Sequence, residues 1–132
     1  MRYFLISTLL IIVLLAGCAS QKALFEQSMA INTIEAYQNF LRKYPTGEMA
    51  DQARQKLLLL EYDNAVKRNT VEGYERFLRV YQDSTFTIKI NEHLTTLKKE
   101  IAFREAMTSR DFEKGEELLA QGVSVDCADN NG

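Results

Sequence analysis

The sequence predicts an all-α chain: antiparallel helix pairs stacked as a short α-solenoid behind an N-terminal signal helix. Three observations lead there. A thirteen-residue phrase returns after 37 residues, the apolar residues inside it recur three and four apart, and the only long apolar run lies at the N-terminus. At 132 residues the chain holds one ordinary domain or a few repeat units. Sixteen Lys and Arg against eighteen Asp and Glu argue against a dedicated nucleic-acid binder, which carries a basic excess. One His and two distant Cys leave no Cys/His zinc site.

The first element is an address. Arg2 supplies a short positive region, and Phe4 to Leu15 is apolar but for Ser7 and Thr8. Such a run is short for a spanning helix, which needs roughly 20 residues, and fits the apolar core of a secretory signal. Leu15-Ala16-Gly17-Cys18 follows. This tetrapeptide resembles the lipobox of bacterial lipoproteins at all four positions. The resemblance implies cleavage before Cys18, a diacylglycerol on its thiol and an N-acyl chain such as palmitate on its new amino terminus. It implies no other cofactor. Ala19, rather than Asp, implies sorting to the outer membrane, facing the periplasm. The expected organisation is a signal peptide over 1–17, a lipidated linker over 18–21, helical repeats over 22–102 and a further repeat over 103–132. Cys127 is then the one free thiol, and no disulfide is expected.

The repeats come next. Asn32-Thr33-Ile34-Glu35-Ala36-Tyr37-Gln38-Asn39-Phe40-Leu41-Arg42-Lys43-Tyr44 returns as Asn69-Thr70-Val71-Glu72-Gly73-Tyr74-Glu75-Arg76-Phe77-Leu78-Arg79-Val80-Tyr81, identical at eight positions. Phe25-Glu26-Gln27-Ser28 corresponds in the same register to Tyr62-Asp63-Asn64-Ala65. Ile34, Tyr37, Phe40, Leu41 and Tyr44 share one helix face, as do Val71, Tyr74, Phe77, Leu78 and Tyr81. Asn32 and Asn69 are expected as N-caps, with Glu35 and Glu72 three residues on completing an Asn version of the capping box. Pro45 stops the first of these helices and Thr46-Gly47 makes the turn. The next helix is expected from near Glu48 to Lys67, with Ala50, Ala53, Leu57 and Leu60 inward. Phe86-Thr87-Ile88-Lys89-Ile90 alternates like a strand. Its alignment with Met49 to Ala53, and the spacing of Leu94, Leu97 and Ile101, predict helix instead. A third copy sets Phe103-Arg104-Glu105-Ala106 against 62–65 at an offset of 41, about one helical turn longer. Asp111 is expected to open a last helix with Phe112, Leu118 and Leu119 as its apolar positions.

Tyr37, Phe40, Leu41, Tyr44 and Pro45, with Tyr74, Phe77, Leu78 and Tyr81, resemble the tetratricopeptide-like repeats of outer-membrane assembly lipoproteins. The pattern departs at Gln82, where Pro is expected, and at Gly73, where Ala is usual. Leu118-Leu119-Ala120-Gln121-Gly122-Val123-Ser124-Val125-Asp126, followed by Asp129-Asn130-Asn131-Gly132, is similar to an ankyrin repeat. There the motif would continue into the next unit, and uncapped arrays expose an apolar face. A longer ankyrin-repeat protein is therefore expected, with a natural short chain as the rival reading.

No catalytic or metal site is expected. His93 has no nucleophile paired with it by any motif, and Glu116 and Glu117 read as a solvated face. Lys98-Lys99 and Arg42-Lys43 are too short for a nucleic-acid track. Tyr37, Tyr44, Tyr74 and Tyr81 are candidates for a partner groove, although their spacing favours packing between helices. The expected function is a lipid-anchored envelope scaffold for protein–protein interaction. Its partners would be the membrane, through the anchor, and other proteins, with no nucleic acid or small-molecule substrate. The alternatives are a structural part in outer-membrane protein assembly or cell-wall organisation, and the non-catalytic N-terminal part of a longer ankyrin-repeat protein or enzyme.

Overall fold

The computed structural model describes residues 20–124, and the described residues are helical without a strand. Helix α1 covers residues 20–31. It is followed by α2 (Ile34–Lys43), α3 (Glu48–Arg68), α4 (Val71–Val80), α5 (Thr87–Ser109) and α6 (Phe112–Ala120). The signal segment, the lipobox and Asp126 to Gly132 lie outside the described residues. Ser20 and Gln21, expected in a linker, are already helical. The contacts divide the chain into two compact units, the boundary falling within α3 between Glu61 and Tyr62.

In the first unit α1 and α2 form an antiparallel pair. Phe25 packs tilted against Phe40 at 5.3 Å between centroids, and Phe40 likewise against Tyr44 at 5.5 Å. These rings bury Ala53 of α3, with Leu24, Leu41, Met49 and Leu57 around them. Phe40 is wholly buried, and burial of such a ring contributes about 2–3 kcal/mol. Ser28 beside this core is a buried polar residue. Its hydroxyl donates to the carbonyls of Leu24 (2.8 Å) and Ala36 (3.3 Å), which removes the penalty of burying it.

The second unit repeats this core 37 residues on. Tyr62 meets Phe77 at 6.2 Å, and Phe77 meets Tyr81 at 5.0 Å. Ile90 stands where Ala53 stands in the first copy, and both are fully buried. The strand-like alternation of 86–90 therefore lies within or beside a helix: Thr87 to Ile90 belong to α5, and Phe86 precedes it, stacked on Tyr62 at 4.3 Å. Where the first copy has Pro45, the second has a longer connection held by Thr87. Its hydroxyl donates to the carbonyls of Tyr81 (3.1 Å) and Gln82 (3.0 Å). α5 packs against both α4 and α6.

The expected Asn caps are corrected by the structure. Thr33 and Thr70 are the N-caps, their hydroxyls accepting from the amides of Ala36 and Gly73. Asn32 and Asn69 precede them in the left-handed region, at φ 49° and 47°. Two consecutive helices are joined by only two residues, so one residue must reverse the chain and the next must cap. Asn tolerates the left-handed conformation better than any residue but Gly, and Thr then provides the cap oxygen. Glu35 and Glu72 consequently sit one position too early for a capping box. The third copy uses the same device at the offset of 41. Arg110 takes the left-handed position at φ 61°, and Asp111 Oδ1 accepts from the Lys114 amide at 3.2 Å.

α6 ends in a Schellman motif. The Gly122 amide donates to Leu119 O (2.9 Å) and the Val123 amide to Leu118 O (3.3 Å), with Gly122 at φ 87°. Val123 then closes on Leu118 and Phe103, the apolar contact that accompanies this motif. Of the three apolar positions expected in α6, Leu118 is buried, whereas Phe112 is 59% and Leu119 39% exposed. One helix packed on one neighbour can bury only a narrow stripe. Gly115 lets α6 approach α5 closely: a Cβ there would lie 3.0 Å from Met107 Sδ.

Candidate functional site

The four tyrosines named from the sequence fall into two equivalent pairs. Tyr37 and Tyr74 are each 1% exposed. Their rings are packing residues, and their hydroxyls are used internally. Tyr37 Oη donates to Asn32 Oδ1 (3.1 Å) and Tyr74 Oη to Asn69 Oδ1 (2.9 Å). Each bond ties the buried face of a helix to the turn that precedes it. Burial pushes both phenols above their ordinary value of 10.0; at Tyr74 the nearby Tyr62 and Glu100 push the same way. Tyr44 and Tyr81 are half-buried at the helix ends. The Tyr44 and Tyr81 amides donate to the carbonyls of Phe40 (2.8 Å) and Phe77 (2.9 Å), closing the last turns of α2 and α4.

His93 lies exposed on α5 and stacks nearly parallel on the Tyr74 ring, 5.8 Å between centroids. This geometry offers the imidazole a flat apolar face and no reacting group. Among the described residues no cluster of three or more His, Cys, Asp or Glu is placed to hold a metal ion. Lys98 Nζ pairs with Glu75 at 2.8 Å, fixing α5 to α4 at the surface. A hollow of about 170 Å³ beside α5 and the end of α6 is lined by Thr96, Lys99, Glu100, Gln121 and Val123. Lys99 Nζ reaches across it to the Gln121 carbonyl at 3.4 Å. That lysine is engaged in completing a helix end, a structural use.

The most distinctive polar arrangement lies at the start of α1. Ser20 Oγ and Tyr44 Oη share a hydrogen bond of 2.9 Å. It joins the start of α1 to the end of α2. Lys43 Nζ stands 5.5 Å from the centre of the Tyr44 ring, a cation–π contact. The turn that follows is clipped from α3: Arg54 Nη2 donates to the Pro45 carbonyl, and Arg54 Nη1 pairs with Asp51 at 2.8 Å. Gly47 takes φ 99°, which an L side chain adopts only under strain, and open space surrounds it. The reversal after Pro45 therefore needs Gly for its backbone and not for lack of room.

Cys18 and its lipobox residues Leu15, Ala16 and Gly17 lie outside the described residues, as does Cys127. Among the described residues no helix is long and apolar enough to cross a membrane. Sequence reasoning missed Ser20, and it missed the roles of Asn32 and Asn69. A signal for the latter was present: in both copies Asn stands five residues before the buried Tyr, a separation that a left-handed residue and one cap span. No comparable signal marks Ser20, because its partner Tyr44 is 24 residues away. No protein-family profile matches the chain, and no curated protein or solved structure matches it significantly.

Proposed function

We propose that the chain is a lipid-anchored protein of the bacterial envelope, held at the outer membrane through acylated Cys18, whose helical repeats form a non-catalytic scaffold for protein–protein contact. The observation that carries the scaffold half is the recurrence of one core and one turn. Phe25–Phe40–Tyr44 returns as Tyr62–Phe77–Tyr81, and the Asn–Thr turn with its Tyr bond returns with it. Units that repeat a local core in this way bury their faces on neighbours and present extended surfaces. Stacking of the pairs as a short α-solenoid belongs to the same reading. The anchor half rests on Leu15-Ala16-Gly17-Cys18 behind an apolar run. Each buried methylene contributes about 0.8 kcal/mol, so a doubly or triply acylated Cys18 would hold the protein stably.

The test is detergent phase partitioning and intact mass of the protein from a membrane fraction, beside a Cys18→Ser variant. The expected result is a detergent-phase protein starting at Cys18 and carrying acyl chains, and a variant without them. Wild-type protein in the aqueous phase with no added lipid mass would overturn the anchor. For the scaffold half, photo-crosslinking residues are placed along the exposed face of α5, at Ile88, Glu92 and Thr95. Discrete adducts with envelope proteins are expected, and no adduct from any position would count against it. Adducts with barrel-assembly proteins would favour the assembly role.

A further inference from the structure

We infer that the anchored molecule stands on the bilayer with its α2–α3 turn, Tyr44 to Glu48, against anionic phospholipid headgroups and its α1–α2 turn, Asn32–Thr33, pointing away. This rests on the reading of Cys18 as the acylated residue. The fold leaves almost no spacer behind that residue. The helix is already formed at residue 20, and two residues of chain reach at most about 7 Å. The Ser20–Tyr44 hydrogen bond brings the end of α2 to the same place. Because α1 and α2 run antiparallel, the turn at Asn32–Thr33 lies at the opposite end of the pair. The eleven steps from residue 20 to 31 put it roughly 17 Å away at the helical rise.

The chemistry of the near end suits a headgroup layer. Arg42 and Lys43 occupy the last turn of α2 and are exposed. Tyr44 beside them is half-buried, its ring packed on Phe40 and its hydroxyl bonded to Ser20, so it holds the basic pair in place beside the start of α1. Two acids near this end are paired with cations, and Glu48 keeps its charge. Asp51 is paired with Arg54, Glu26 with Lys22 at 3.8 Å, and Glu48 accepts from Gln52 at 3.5 Å. Arg42 keeps its charge while donating to Asn39 Oδ1, and Lys43 rests on a neutral ring. With Lys22 and Arg54 offset by Glu26 and Asp51, Arg42 and Lys43 stand against the single carboxylate of Glu48, a net positive charge of one toward lipid phosphates. The acyl chains supply affinity, and the basic pair supplies orientation. The clip from Arg54 to the Pro45 carbonyl keeps this end in one shape as it meets the surface.

The test uses the full acylated protein, with Cys127→Ser, in vesicles of phosphatidylethanolamine and phosphatidylglycerol containing a headgroup-nitroxide lipid. A bimane label is placed through Thr46→Cys in one sample and Glu35→Cys in another, both positions being exposed. With about 17 Å between the two ends, quenching at position 46 is expected to exceed that at 35 by about threefold or more. Arg42→Glu with Lys43→Glu is expected to bring the two toward equality. Equal quenching in the unaltered background would overturn the orientation, and a difference unmoved by charge reversal would overturn the headgroup contact. Intact mass of each sample separates the causes. If no sample carries acyl chains, the anchor reading itself fails and this inference falls with it. If acyl chains are present and quenching is equal, the inference alone fails.

Discussion

Replacing Asn69 probes the repeated turn most directly. Two contributions meet at this residue. Its φ of 47° is a left-handed conformation, which costs an ordinary L residue roughly 1–2 kcal/mol and Asn less. Its Oδ1 also accepts the Tyr74 hydroxyl at 2.9 Å, in a ring 1% exposed. A buried hydroxyl left without a partner costs about 1–3 kcal/mol. Asn69→Ala loses both contributions and is expected to destabilise by about 2–4 kcal/mol. Asn69→Gly keeps the conformation and loses only the acceptor, so it should cost about 1 kcal/mol less than the Ala variant. Tyr74→Phe removes the hydroxyl while Asn69 stays exposed to water, and about 0.5–1.5 kcal/mol is expected. The double variant Asn69→Gly/Tyr74→Phe should therefore cost clearly less than the two singles added. Urea unfolding followed by circular dichroism at 222 nm measures all four. Asn32 and Tyr37 provide the same cycle in the first unit. A Gly variant as unstable as the Ala variant would refute the conformational argument. Singles that simply add would refute the hydrogen-bond argument.

Further outcomes follow from other residues. Tyr37 and Tyr74 hold their protons more tightly folded than unfolded, so their contribution is full below the ordinary pKa of about 10 and falls as the pH rises past it. Unfolding scans from pH 9 to 12 should show that loss, and the double variant Tyr37→Phe/Tyr74→Phe should flatten it; an unchanged slope would refute the assignment. Gly122→Ala forces a side chain into φ 87° within the Schellman turn and should destabilise by about 1 kcal/mol, read from the same urea midpoint. Arg110→Gly relieves a left-handed non-glycine residue but raises the entropy of the unfolded chain. A net gain of about 0.5 kcal/mol is expected, and a loss of stability would contradict it. Lys98→Ala breaks the ion pair with Glu75 in a half-exposed setting, and a midpoint shift worth more than about 1 kcal/mol would contradict its assignment as a surface pair.

Sequence and tertiary structure contributed different things here. Helix existence, the 37-residue period, the stop at Pro45 and the passage from strand-like alternation into α5 were legible from spacing alone. Apolar periodicity is a property of the chain, and a repeat imposes on each copy the conformation of the other. The lipobox resemblance at Leu15–Cys18 is a linear signal that lies outside the described residues, so packing neither adds to it nor alters it. What only the packed structure decided was where individual side chains go. Asn and Thr both favour helix starts, and either fits the cap by propensity. The hydroxyls of Tyr37 and Tyr74 engage the Asn side-chain oxygens, and the capping falls to Thr33 and Thr70. Phe112 and Leu119 carry the same apolar signal as Leu118, yet α5 covers only one edge of α6, and they remain exposed. Ser20 reads as linker until Tyr44 meets it. Local propensity names the conformations a residue accepts, and contacts between residues distant in the chain choose among them.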